Sequence, residues 1–175
     1  MFDGGVALRL TDPRRFGSLH YQAGDWHGHW LLAKLGVEPF AANFDGAYLH
    51  AAARGRHIAV KLLLMDASVV VGVGNIYANE ALFRAGIRPR VAAGRVTRSR
   101  FDRLACSVRD VLSAAIEHGG TTLRNFVDGA GRPGYFAQSL KVYGREGEAC
   151  RDCGATLKGL RLGQRATVYC PICQR

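Results

Sequence analysis

Residues 150–173, CRDCGATLKGLRLGQRATVYCPIC, carry two Cys-x-x-Cys pairs with sixteen residues between them. That spacing is the spacing of a zinc site. Two thiolates three positions apart on a tight knuckle can both face one ion about 2.3 Å away, and a second knuckle completes the tetrahedron. Gly154 behind the first pair and Pro171 inside the second supply knuckle-type backbone. Between the pairs, residues 156–161 and 165–169 read as strands joined at Leu162, Gly163 and Gln164. Two disulfides or four idle thiols are the alternatives, and clustered cysteines in a reducing compartment favour metal. Four sulfur ligands, Cys150, Cys153, Cys170 and Cys173, leave no open coordination position. One structural Zn²⁺ is therefore expected, holding a hairpin that has no core of its own.

Upstream of the cysteines the pattern is helical. Phe101, Leu104, Val108, Leu112, Ala115 and Ile116 recur at helical spacing, behind an S-x-x-D capping signature at Ser99 and Asp102. Gly119 and Gly120 end that helix, and Cys106 falls on its apolar side as a buried thiol with no assigned role. Residues 75–85 read as a second helix, stopped by Gly86 with Pro89 beyond. Residues 48–54 and 58–66 read as two more, separated by Gly55. Residues 127–134, VDGAGRPG, read as a mobile loop. At the other end Val6, Leu8 and Leu10 alternate with Ala7, Arg9 and Thr11, and residues 18–21 resume a strand after a loop. A lone hairpin is marginal in water, so this opening reads as the remnant of a larger sheet. The fold class is mainly α with small β.

A 175-residue chain that is 48% hydrophobic can bury one ordinary core and a small satellite module. Its net charge is +10, from 24 Lys and Arg against 14 Asp and Glu. Such a surplus points to a polyanionic partner; a merely solvated surface, or a ribosomal or membrane-surface role, stays open on charge alone. The first ten residues hold no continuous apolar run, and the longest apolar stretches, 62–65 and 69–71, are too short to span a bilayer. A soluble, cytoplasmic protein is expected.

Two further segments suit nucleic acid. In residues 72–77, GVGNIY, glycines stand just before a helix start, where free N–H groups and the helix dipole favour an anion. Asn75 then serves as N-cap or bonds a phosphate directly, with Lys61 and Arg56 facing the same phosphate track; a plain capped turn is the alternative. Arg14, Arg15 and Phe16 sit in a loop bounded by Pro13 and Gly17. Arginines can meet a base edge while an apolar wedge fills an opened stack. The alternative is a Phe tucked into the core. Lys158, Arg161 and Arg165 make the hairpin basic, and Arg165 stands beside its turn.

Five segments taken in order, DPRRFG (12–17), VGVGNIYA (71–78), GGTT (119–122), GYF (134–136) and QRATVYC (164–170), together with the cysteine pairs, resemble the bacterial formamidopyrimidine-DNA glycosylase family. The resemblance covers essentially the whole chain. It implies a remnant of an N-terminal β-sandwich over residues 1–36, a helix–two-turn–helix DNA-binding domain over 37–138, and a zinc finger over 139–175. It also implies base excision repair: removal of 8-oxoguanine and ring-opened purines from double-stranded DNA, then β,δ-elimination at the abasic site, by a monomer working on bacterial DNA. By position, Arg14 resembles the residue facing the orphaned cytosine and Phe16 the wedge beside it. Arg56 is similar to a backbone contact and Asn75 to the phosphate-binding residue of the helical turn. Arg165 matches the finger arginine assigned to δ-elimination.

The family's nucleophile is an N-terminal proline followed by glutamate, whereas this sequence opens Met-Phe-Asp. Attack on the sugar C1′ needs a secondary amine, and Pro13 and Pro39 are internal. By itself the chain is expected to bind damaged DNA without excising bases, with slow nicking at preformed abasic sites. Three other functions compete: a non-catalytic DNA-binding module, a fragment of the sibling endonuclease VIII type, and a zinc-ribbon adaptor for protein. The DPRRFG loop favours the oxidised-purine branch over endonuclease VIII.

Overall fold

A computed structural model describes residues 7, 9, 10, 12, 15, 17–120 and 139–175. Chain contacts divide it into two units, Met1–Lys34 and Leu35–Arg175. In the first, the described residues form one 3₁₀ turn, Trp26–Gly28, and no strand. Residues 18–21, expected as a strand, form none: among the described residues no partner strand satisfies their backbone groups. Val6 and Leu8 of the other expected strand lie outside the described residues.

The second unit holds four helices and a hairpin: α1 (Gly46–Ala53), α2 (Val60–Leu64), α3 (Asn75–Arg84), α4 (Arg98–Glu117), β1 (Lys158–Leu162) and β2 (Arg165–Tyr169). Helix α1 starts where the Asp45 carboxylate accepts the Tyr48 N–H at 2.8 Å, a side-chain N-cap. Helix α2 begins two residues later than the apolar pattern suggests. The N–H groups of Val60 and Lys61 are taken by the carbonyls of Val91 and Pro89, and Ala59 bridges Ala92. Helix α3 closes as a Schellman turn: Gly86, at φ +69°, donates to Phe83, and Ile87 donates to Leu82. Helix α4 closes the same way at Gly119 and Gly120.

Two expectations about α4 are corrected. Its N-cap is Thr97, not Ser99, and Asp102 accepts from Arg98 at 3.1 Å instead of capping. The buried stripe runs Phe101, Leu104, Ala105, Val108, Val111, Leu112 and Ala115. Cys106, five residues after Phe101, lies about 140° around the helix from it and is exposed, not buried. Ile116 stands at the stripe's margin in the last turn and is 67% exposed.

Helices α1, α3 and α4 pack around Phe44, Leu49, Leu63, Leu82, Phe101 and Leu104. Gly46 lets α1 approach α4: a Cβ there would lie 2.4 Å from the Asp102 nitrogen. The finger has its own small core of Val142, Cys150, Leu157, Val168 and Cys170, completed by Phe83 from α3. The hairpin therefore borrows apolar cover from the helical domain, which the sequence does not announce. Strand β1 is shorter than expected, and Thr156 instead bridges Ala149. Leu162 pairs Arg165 across a two-residue turn in which Gly163 and Gln164 have φ of 52° and 61°. Positive φ at both positions is the type I′ geometry that matches strand twist.

Candidate metal centre and nucleic-acid interface

The Sγ atoms of Cys150, Cys153, Cys170 and Cys173 all lie within 4.8 Å of one another. A tetrahedron with 2.3 Å bonds has edges of about 3.8 Å, so the four sulfurs already stand near zinc-ligand spacing. Each knuckle is backbone-fixed. Gly154 (φ +76°) donates to the Cys150 carbonyl at 2.9 Å, and Gln174 donates to the Cys170 carbonyl at 3.1 Å. Burial pushes the Cys170 thiol up, but N–H groups of Cys173 and Ile172 and neighbouring thiols outweigh it and bring it to about 7. Burial and three crowding thiols push Cys173 far up. Without a cation these sulfurs cannot all ionise together; a dication removes that conflict. The residues fit one structural zinc.

A set of buried polar side chains ties the finger to the helices. Gln174, fully buried, accepts from the Cys170 N–H and donates to the Ile87 carbonyl, both at 2.8 Å. Glu80 on α3 accepts from the N–H groups of Lys141, Val142 and Tyr143 at 2.8–3.0 Å. Asn79, also fully buried, donates to the Asn75 carbonyl at 2.7 Å and accepts from the Val168 N–H at 2.9 Å. One amide thus links the first turn of α3 to β2. Sequence reasoning missed these connectors. The signal lay in Asn79 and Glu80, a polar pair flanked by Ala78 and Ala81, with Asn79 one turn after Asn75.

Lys61 is not the exposed cation expected on α2. It is fully buried, and its Nζ donates to Thr167 Oγ1 at 2.6 Å and to the Ala166 carbonyl at 2.9 Å. The side chain reaches across to β2, where the Ala166 carbonyl and the Thr167 hydroxyl offer acceptors. Burial, and then the nearby Arg165 guanidinium, pull its pKa from 10.5 to about 8. Between those two values the unfolded chain binds this proton more tightly than the folded one, so Lys61 makes stability rise with pH across that window. Relative to Lys61→Met, the wild-type urea midpoint is expected to gain from pH 8 to pH 10.5. A difference between the two proteins that stays constant with pH would contradict this.

The helical turn also differs in detail. The N-cap of α3 is Gly74, with no side-chain capping bond, and Asn75 is the first helical residue. Asn75 therefore does not cap; its Oδ1 is enclosed with no hydrogen-bond partner among the described residues. Gly72 stands at φ +76° ahead of it. Arg165 is exposed at the start of β2. Arg56 pairs with Asp66 at 3.5 Å, and the Asp66 carboxyl is held low chiefly by Ser68 hydrogen bonds, with Arg56 assisting. Lys61, Arg165 and the α3 turn are thus joined through β2, while Arg56 stands at the loop before that turn. Arg14 and Phe16 lie outside the described residues, as does the glycine-rich segment 127–134. Among the described residues no helix is long and apolar enough to cross a membrane.

A family model described as the formamidopyrimidine-DNA glycosylase H2TH domain matches residues 35–127. A second, described as a zinc finger found in FPG and IleRS, matches residues 147–175. A formamidopyrimidine-DNA glycosylase of Halorhodospira halophila is 63% identical over 175 residues, 100% of this chain and 64% of its own length. One from Pseudomonas fluorescens is 58% identical over 173 residues, 99% of this chain and 64% of its own. The MutM (Fpg) crystal structure from Thermus thermophilus aligns with a TM-score of 0.85 at 40% identity, covering 93% of this chain and 62% of that one. The Lactococcus lactis Fpg complex with DNA containing an abasic site aligns at 0.75 and 33% identity, covering 83% and 53%. The chain spans less than two thirds of the length of these relatives.

Proposed function

The chain belongs to the formamidopyrimidine-DNA glycosylase family, and from that membership we propose that its residues form the DNA-gripping part of a base-excision repair enzyme for oxidised purines. The observation that carries this reading is the placement of Arg165. A zinc-fixed hairpin presents its guanidinium close enough to the Lys61 ammonium to depress it, and Asn79 ties the same strand to the glycine-bearing turn of α3. Two cations held together are unfavourable in the free protein, and an anion bound at the exposed Arg165 offsets their repulsion. A DNA phosphate is such an anion, and the Lactococcus lactis relative has been solved in complex with DNA containing an abasic site or Fapy-dG.

In this reading Arg165 and the turn at Asn75 grip backbone phosphates, and Lys61 supports the hairpin from beneath. Arg56 adds a flanking contact. Arg14 and Phe16 hold open the duplex at the orphaned base. The partner is double-stranded DNA with an oxidised purine or abasic site, met in the bacterial cytoplasm by a monomer organised as residues 1–36, 37–138 and 139–175. The family chemistry is N-glycosylase action followed by β,δ-elimination, with Arg165 assisting the second elimination. Binding to duplex DNA is expected to weaken steeply with salt, because each neutralised phosphate releases condensed counterion. Arg165→Ala should weaken binding to every sequence and lower the slope of log K against log salt by about one unit. Salt-independent binding, measured by fluorescence anisotropy, would overturn this reading.

A further inference from the structure

The geometry points to a second DNA-backbone contact on the helical domain, made by Arg54 and Arg95 and separate from the turn of α3 and the finger. The inference rests on the reading that the chain grips duplex DNA. Residues 54–57, Arg-Gly-Arg-His, follow α1, and residues 93–95 form a short 3₁₀ turn just ahead of α4. The two loops are locked together: Gly94 donates to the Arg56 carbonyl at 3.0 Å, and Ala93 donates to the Ile58 carbonyl at 2.8 Å. A Cβ on Gly94 would stand 3.1 Å from the Arg56 carbonyl oxygen, so the approach is close and the frame is backbone-fixed. Arg54, Arg56, His57, Arg95 and Arg98 all emerge from this frame exposed.

Charge on the patch is unbalanced. Asp66 answers Arg56 and Asp102 answers Arg98. Among the described residues Arg54 and Arg95 have no ion pair. The segment also leads into α4, a 20-residue helix with no acidic residue in its first turn and Arg98, Arg100 and Arg103 near its positive end. Cations at that end oppose the helix dipole and destabilise the free protein. Such a frame of fixed arginines with too few acids is unfavourable alone and becomes favourable against a line of phosphates. A rigid backbone holding the side chains at their roots reduces the ordering entropy lost on contact. The α3 turn and the finger take no part in this frame, so the contact adds to theirs.

The test is Arg54→Ser/Arg95→Ser in the 175-residue chain, titrated against undamaged duplex across a salt series. The slope of log K against log salt is expected to fall by about two units, one per lost phosphate contact. The loss should add to that of Arg165→Ala, as separate sites do, and Arg54→Lys/Arg95→Lys should keep the wild-type slope. An unchanged slope in the serine variant overturns the proposal, as does an equal loss in the lysine variant, which would mean the side chains act through structure and not charge. If wild-type binding itself ignores salt, the failure belongs to the reading under Proposed function; if only Arg165→Ala lowers the slope, the failure belongs here alone.

Discussion

Serine in place of Cys170 is expected to release the zinc and unfold the finger as one unit, leaving the helices folded and DNA binding severely reduced. Metal affinity carries the effect. Structural zinc contributes on the order of 10–16 kcal/mol to such small modules, and that binding energy is folding energy. Little else could replace it, because the finger core is only Val142, Leu157 and Val168 around two cysteines, with Phe83 lent by α3. Cys170 is fully buried and is the sulfur best prepared to ionise, so serine there removes the ligand with the least substitute. Loss of β2 would take with it Arg165 and both acceptors of Lys61. The helical core of Phe101, Leu104, Leu82 and Leu49 is a separate cluster and should survive. Metal analysis, far-UV circular dichroism and a DNA titration read the three consequences. One zinc per chain with unimpaired binding in the variant would refute the assignment.

How far the sequence showed this in advance depended on the kind of signal. The metal ligands were legible because thiolate spacing is short-range and tightly constrained. Helices α1, α3 and α4 were legible because stop glycines, Gly55, Gly86 and the pair Gly119 and Gly120, stand behind periodic apolar positions, whereas none of their N-caps was. The fate of polar side chains was not. Lys61 and Asn79 look like surface residues until β2 is folded over them, since their partners lie 106 and 89 positions away along the chain. Cys106 was misplaced for a smaller reason: it sits between Ala105 and Ser107, both buried, and only the 100° step between neighbours puts it on the outer face. The capping signature at Ser99 and Asp102 was a coincidence of composition, because Arg98 is four residues before Asp102 and claims it as an ion pair. The strand expected at residues 18–21 has no pairing partner among the described residues, and Val6, Leu8 and Thr11 of the alternating stretch lie outside them.

The polypeptide of residues 1–175, made alone, is expected to bind 8-oxoguanine duplex without giving a borohydride-trapped adduct. The proposed N-glycosylase and elimination chemistry goes through a Schiff base, which needs an amine that is unprotonated, nucleophilic and free to reach the sugar C1′. Internal prolines are amides and do not qualify. Lys61 is the amine to exclude, because a pKa of about 8 leaves a fraction of it unprotonated near neutral pH. Its nitrogen is nonetheless sealed beneath β2 and committed to Thr167 and Ala166. Attack from there would require the finger to lift off, and lifting it would also displace Arg165, which stands on the same strand. Basicity and access therefore oppose each other at this residue. The comparison is a second polypeptide extended by the N-terminal segment of a relative that opens Pro-Glu, assayed on the same duplex. Trapping should appear only in the extended protein. Slow nicking at preformed abasic sites by exposed lysines is compatible with this outcome, whereas efficient trapping by residues 1–175, abolished by Lys61→Met, would place the nucleophile beneath the hairpin after all.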